Sequence, residues 1–192
     1  LLAVSMSLII SFKMKFWNIG AEGQILMGGI VSAACMIYLG KTVPTIPLLV
    51  IMLIGSMIAG GVWGFIPGLF KAKWNTNETL FTLMMNYIAI QITSFFVAKW
   101  ENPFGSNSVG IINSRTQAGW FPQIFGQAYT LNVIIVMLLV VGMYLYLNYS
   151  KQGYEIAVVG ESENTARYAA INVKKVIMRT MAISGALCGV AG

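Results

Sequence analysis

Residues 42–70 read Thr42-Val-Pro-Thr-Ile-Pro-Leu-Leu-Val-Ile-Met-Leu-Ile-Gly-Ser-Met-Ile-Ala-Gly-Gly-Val-Trp-Gly-Phe-Ile-Pro-Gly-Leu-Phe70, with no charged side chain. A helix needs about 20 apolar residues to cross the hydrocarbon core of a bilayer. This run is long enough, and it has neighbours. Further charge-free runs cover Leu1–Phe12, Gly23–Gly40, Thr79–Ala98, Thr116–Ser150 and Thr180–Gly192. None shows the period-2 alternation of a strand, and an open sheet in lipid leaves its edge unpaired. The runs predict helices at 1–12, 18–40, 46–70, 78–98, 131–149 and 176–192. The expected fold is all-α, a polytopic transmembrane helical bundle with about six spans in one domain, 1–192. Both ends cut through or border apolar runs, and the chain reads as a fragment truncated at each end.

Composition agrees. Hydrophobic residues are 57% of the chain and charged residues 9%, against about a quarter charged in soluble domains. Lipid is therefore the expected solvent. The net charge of +6 does not point to nucleic acid, because the bases sit between apolar runs and act as topology signals. The chain lacks His, the usual general base and a common metal ligand. Cys35 and Cys188 lie inside apolar runs and read as packed thiols.

The bases divide unevenly among the loops. Lys13, Lys15, Lys71, Lys73, Lys151, Arg167, Lys174, Lys175 and Arg179 fall on one side; Lys41, Lys99 and Arg115 fall on the other. The positive-inside rule makes the first side cytoplasmic. The loop at 99–130 is then external. Its Trp100, Phe104, Trp120, Phe121, Phe125 and Tyr129 suit an interfacial aromatic belt, with room for a short interfacial helix.

Small residues mark helix contacts. Ser56, Gly60, Gly64 and Gly68 recur every fourth residue, and Gly185 and Gly189 repeat the spacing. In lipid such stripes let backbones approach closely. Pro67 is expected to kink the helix or mark its exit.

Polar residues inside the runs are the candidates for chemistry. Asn18-Ile-Gly-Ala-Glu-Gly-Gln24 places Asn18, Glu22 and Gln24 near flexible backbone. One reading is a loosened helix start lining a translocation path. The other is an interfacial helix start, with Asn18 as N-cap and Glu22 against the helix dipole. Asn77 and Glu78 suit the start of the next inside-to-outside helix. Asn86 and Gln91 lie deeper in it, as interhelical hydrogen-bonding groups or as path residues, the first role being favoured.

The longest charged stretch reads Ser150-Lys-Gln-Gly-Tyr-Glu-Ile-Ala-Val-Val-Gly-Glu-Ser-Glu-Asn-Thr-Ala-Arg-Tyr-Ala-Ala-Ile-Asn-Val-Lys-Lys175. Gly153 and Gly160 punctuate it. Ser162 is placed to cap a short helix from Glu163 to about Ile171, with Glu163 and Arg167 paired at i, i+4. Asn172 suits the left-handed C′ position. Ala166, Ala169, Ala170 and Val173 share a face. A connection of this length with its own capped helix points to docking of a partner more than to a plain loop.

These residues resemble the coupling-helix region of ABC importer permeases, in the family that serves branched-chain amino acids, simple sugars and nucleosides. The resemblance rests on Gly153-Tyr-Glu-Ile156, Val159-Gly-Glu161, Ala166-Arg-Tyr-Ala169 and Ile171-Asn-Val173. It extends to Asn18-Ile-Gly-Ala-Glu-Gly-Gln24, to Asn77-Glu78 with Thr82-Leu-Met-Met-Asn-Tyr-Ile-Ala89, and to Ser184-Gly-Ala-Leu-Cys-Gly-Val-Ala-Gly192. The blocks occur in family order over nearly the whole chain and look most like the sugar or nucleoside branch. Two departures stand out. Ser162-Glu163 replace a common Asn-Pro, and Ala170 stands where a Gly often precedes Ile-Asn.

The resemblance implies a multi-pass permease subunit of a prokaryotic plasma (inner) membrane, embedded in the lipid bilayer. It implies a second permease subunit, an external solute-binding protein and a cytoplasmic ABC ATPase as partners, and no nucleic acid. The chain carries no Gly-x-x-x-x-Gly-Lys-[Ser/Thr] motif. ATP is therefore expected on the ATPase partner, with no cofactor and no enzyme activity on this chain. ATPase contact is assigned to Gly153, Gly160, Glu161, Ala166, Arg167, Ala169, Ala170 and Ile171, with Ala166 and Ala169 facing the partner. The translocation path is assigned to Asn18, Glu22, Gln24 and Asn86. Two rivals compete: an ion-coupled secondary transporter or channel that uses Glu22 as its carboxylate, and a membrane anchor without transport.

Overall fold

The computed structural model describes residues 1–114, 116–122 and 129–192. Arg115 and Phe125, named above as an external base and a belt aromatic, lie outside these. Eight helices order the described residues: α1 (Leu2–Lys13), α2 (Ala21–Leu39), α3 (Thr45–Trp74), α4 (Glu78–Lys99), α5 (Thr130–Tyr149), α6 (Lys151–Glu161), α7 (Glu163–Tyr168) and α8 (Val173–Ala191). Four of them, α2 to α5, are long and apolar enough to cross a membrane. α1 has 12 residues. α8 has 19 but carries Lys174, Lys175 and Arg179 in its first turns. Between α4 and α5 the described residues form turns and no helix, so the room left there for an interfacial helix is not used by them.

α3 and α8 form the spine, with α2 against both. The two glycine stripes meet each other. A Cβ on Gly60 would strike the Gly185 carbonyl oxygen, and one on Gly189 would strike that of Ser56. One on Gly64 would come within 2.6 Å of the Met181 carbonyl oxygen. α2 joins the junction through Gly28, whose added Cβ would lie 2.6 Å from the Gly189 Cα. Packing at this range gains dispersion energy only because no side chain intervenes. Pro67 does not end α3. It is buried inside the helix, which runs on to Trp74 and closes at Asn75 in the left-handed region (φ 50°).

α1 attaches to α8 through polar contacts: the Ser11 hydroxyl donates to the Ser184 hydroxyl at 3.0 Å, and Ser184 donates to the Ser7 carbonyl at 2.9 Å. Cys188 lies 2.7 Å from the Ser7 hydroxyl, and both cysteines are free thiols. α5 packs on α1 and α6, with Met143 as its buried residue.

Candidate functional site

Two places gather the polar side chains. The first is the start of α2. Its N-cap is Gly20, with no side-chain cap of its own. One of the two readings above made Asn18 that cap. Instead its Oδ1 accepts from the Gly20 N–H at 3.0 Å, and its amide faces that of Gln24 at 3.4–3.5 Å. The cap comes from another helix. Asn86 of α4 accepts from the Gly23 N–H and donates to the Ile19 carbonyl, both at 2.8 Å. The Thr82 hydroxyl accepts from the Ile19 N–H at 3.3 Å. The orphan donors of a helix start are thus satisfied across a helix pair.

This arrangement sets the depth of Glu22. Gly20 packs on Thr82 and Gly23 on Asn86, one and two turns past Glu78. At 1.5 Å per residue Glu22 lies about 6–12 Å in from the start of α4. Asn18, Gln24 and Asn86 are buried between helices of the same chain, whereas Glu22 is exposed. Of the four assigned path residues, only Glu22 presents its side chain to the outside of the bundle. The other three face inward and hold α2 in place: Asn18 and Gln24 face each other, and Asn86 bonds the α2 backbone at Ile19 and Gly23. Gly23 lets Asn86 approach: an added Cβ would lie 2.9 Å from Asn86 Oδ1 and push that amide from its place.

α4 begins as expected. Asn77 Oδ1 accepts from the Leu80 N–H at 3.2 Å, and Glu78 pairs with Lys71 at 2.8 Å across the α3–α4 turn.

The second place is the module α6–α7 at the basic end of the bundle. The segment read as punctuated by Gly153 and Gly160 is a continuous helix, α6, capped by Ser150, whose hydroxyl accepts from the Gly153 N–H at 2.9 Å. Both glycines are contact points. A Cβ on Gly153 would strike the Leu147 carbonyl oxygen, and one on Gly160 that of Lys13. They are buried and seat α6 on α5 and α1. Glu155 of α6 pairs with Arg179 of α8 at 2.8 Å, with side chains 19% and 27% exposed. That tie was not foreseen. The residue pair is far apart in sequence, although the Ser150 cap signal was there to mark α6.

Ser162 caps α7 as expected, accepting from the Thr165 N–H at 3.4 Å. The helix is shorter than predicted and ends at Tyr168. Its close is a Schellman motif: the Ile171 N–H donates to the Ala166 carbonyl at 2.9 Å around Ala170 at φ 57°. The left-handed residue is therefore Ala170 and not Asn172, which instead N-caps α8, its Oδ1 accepting from the Lys175 N–H at 3.2 Å. The small-residue face divides. Ala166 is 0% exposed and packs into the core with Ile156, Val159 and Val173, so it does not face a partner. Glu161, Arg167, Ala169 and Ala170 are exposed and Ile171 half-buried. Tyr168, 93% exposed, stands furthest out. The Glu163–Arg167 pair is loose, at 3.7 Å.

Among the described residues no group of His, Cys, Asp or Glu could hold a metal ion. The family model for the branched-chain amino acid transport system permease component matches residues 1–192.

The chain belongs to this family.

It is similar to the guanosine ABC transporter permease protein of Bacillus subtilis, 35% identical over 95% of this chain and 52% of that one. It is similar to the nucleoside ABC transporter permease protein of Lactococcus lactis, 28% identical over 100% of this chain and 55% of that one. The glucose ABC transporter permease protein of Haloferax volcanii is 25% identical over 100% and 53%. The chain spans about half the length of these relatives. No solved structure matches it. As a permease component it is a membrane subunit and not the ATPase, and it is a multi-pass protein of the prokaryotic plasma (inner) membrane.

Proposed function

We propose that the chain is the core of a permease subunit in an ATP-driven ABC importer of nucleosides or simple sugars. In this reading α6 and α7 form the cytoplasmic coupling module at 150–175, the loop at 99–130 is external, and a separate ATPase binds the ATP. A second permease subunit completes the pathway and a solute-binding protein supplies the solute. The observation that carries it is the build of the module. α6 is bolted to the bundle at Gly153, Gly160 and Glu155–Arg179, while α7 holds Arg167, Tyr168 and Ala169 outward. Force applied at α7 passes through α6 into α8 and the glycine spine. The names of the relatives support the cargo class. On the path side, a carboxyl side chain exposed at the depth of Glu22 is costly against lipid and fits a water-filled route or a subunit boundary.

The test uses the assembled transporter in proteoliposomes. Tyr168→Glu is expected to lose ATPase co-purification and to cut ATP-driven uptake of a nucleoside and sugar panel at least about tenfold, the scale of an interface anchor. Its thermal midpoint should not move, because Tyr168 contributes nothing to the core. Full uptake by this variant removes the docking role of α7. Uptake driven by an ion gradient without ATP removes the importer reading.

A further inference from the structure

α4 carries two kinds of polar residue, and they point in different directions. Asn86, Ala89 and Thr93 lie along the edge that packs on α2, and Asn86 is consumed there. Tyr87, Gln91 and Ser94 recur at i, i+4 and i+7 and so share another face. All three are exposed, Tyr87 at 63%. The Gln91 amide makes no hydrogen bond among the described residues, whereas Ser94 donates only to the Ile90 carbonyl of its own helix at 2.9 Å. Gln91 stands thirteen residues past Glu78, about 20 Å along the helix and well inside the span. A free amide against hydrocarbon costs several kcal/mol.

The side of the bundle is also determined. On α2, Gln24 points to α3, where its amide lies beside Gly64. Glu22 is two residues back, about 200° round the helix, and so faces away from α3. On α4, Phe81 stacks on Phe70 of α3 with centroids 4.7 Å apart. Tyr87 and Ser94 lie on the far side of α4 from that contact. Glu22, Tyr87 and Ser94 therefore open on one side of the α2–α4 pair, with Gln91 at its outer margin.

We propose that Tyr87, Gln91 and Ser94 line the translocation path and contact the passing solute. Their chemistry suits a neutral, hydroxylated solute: an amide that both donates and accepts, a hydroxyl, and an aromatic ring able to stack on a base or a sugar face. The stripe continues outward from Glu22, so a solute leaving the external side would meet Ser94, Gln91, Tyr87 and then Glu22. The proposal rests on the permease reading and adds the residues that the solute touches.

Thiol accessibility in the assembled transporter tests it. Gln91→Cys and Ser94→Cys are treated with membrane-impermeant trimethylammonium-ethyl methanethiosulfonate, beside the parental chain and beside Leu138→Cys on the apolar surface of α5. Both path variants should react at least about tenfold faster than Leu138→Cys, as a hydrated thiol does against one in lipid. Rates no faster than Leu138→Cys overturn the proposal. So does oxidative cross-linking of two Gln91→Cys copies, which would make the stripe a subunit contact. ATP-driven uptake by the parental chain is measured in the same vesicles. If uptake holds while labelling fails, only this inference falls; if uptake itself fails, the permease reading falls first.

Discussion

The glycine spine and the α6–α7 module are both built on close backbone approach, yet they tolerate change very differently. In the spine, α3, α8 and α2 touch backbone to backbone at Gly60, Gly185, Gly189 and Gly28. There is no side chain to swing aside. In the module, only the inner side is so constrained, at Gly153 and Gly160. The outer side is a short capped helix whose residues meet solvent. Backbone contact leaves the spine no slack, whereas the outer face of α7 is free to vary.

The largest effect should come from the spine. Gly60→Val places branched carbons on the Gly185 carbonyl and forces α3 from α8. Overpacking typically costs about 1–3 kcal/mol, and rigid backbone on both sides puts this site at the upper end. Thermal unfolding in detergent should show a clear fall in midpoint, and an unchanged midpoint would mean that α3 and α8 are not tightly seated at Gly60. Next comes the trans cap. Asn86→Ala leaves the Gly23 N–H and the Ile19 carbonyl unpaired in a buried site, at about 1–3 kcal/mol. The same melt reads it, and hydrogen exchange at Gly23 should rise with it. The smallest effect has the opposite sign. Ala170 holds φ 57°, where a Cβ costs about 1–2 kcal/mol that glycine avoids. Ala170→Gly should therefore raise the midpoint modestly. A lowered midpoint would show that the left-handed close of α7 is not strained.

Much of this was legible in sequence. Charge-free runs located the apolar helices, because exclusion from lipid acts on each charge wherever it sits. The glycine stripes were visible as contact surfaces, because their spacing is that of a helix face. The caps at Asn77 and Ser162 were readable for a similar reason, being local to one turn. Errors arose where a residue's partner was distant. Asn18 looked like a cap because nothing in its neighbourhood revealed Asn86, far along the chain on α4. Ala166 looked like an outward alanine because its spacing matched Ala169, yet α6 and α8 fold over it. Asn172 was given the left-handed turn on intrinsic preference, but the hydrogen bond from Ile171 to Ala166 imposed it on Ala170.

By itself, then, the sequence determined that this chain lives in a membrane, where its apolar helices lie, and which end carries the basic charge. Hydropathy and charge act residue by residue, and no packing is needed to express them. Tertiary structure decided what each polar side chain is for. Asn86 and Gln91 are five residues apart on one helix and alike in chemistry. One is spent on α2 and the other is left free, because helix rotation points only the first at a neighbour.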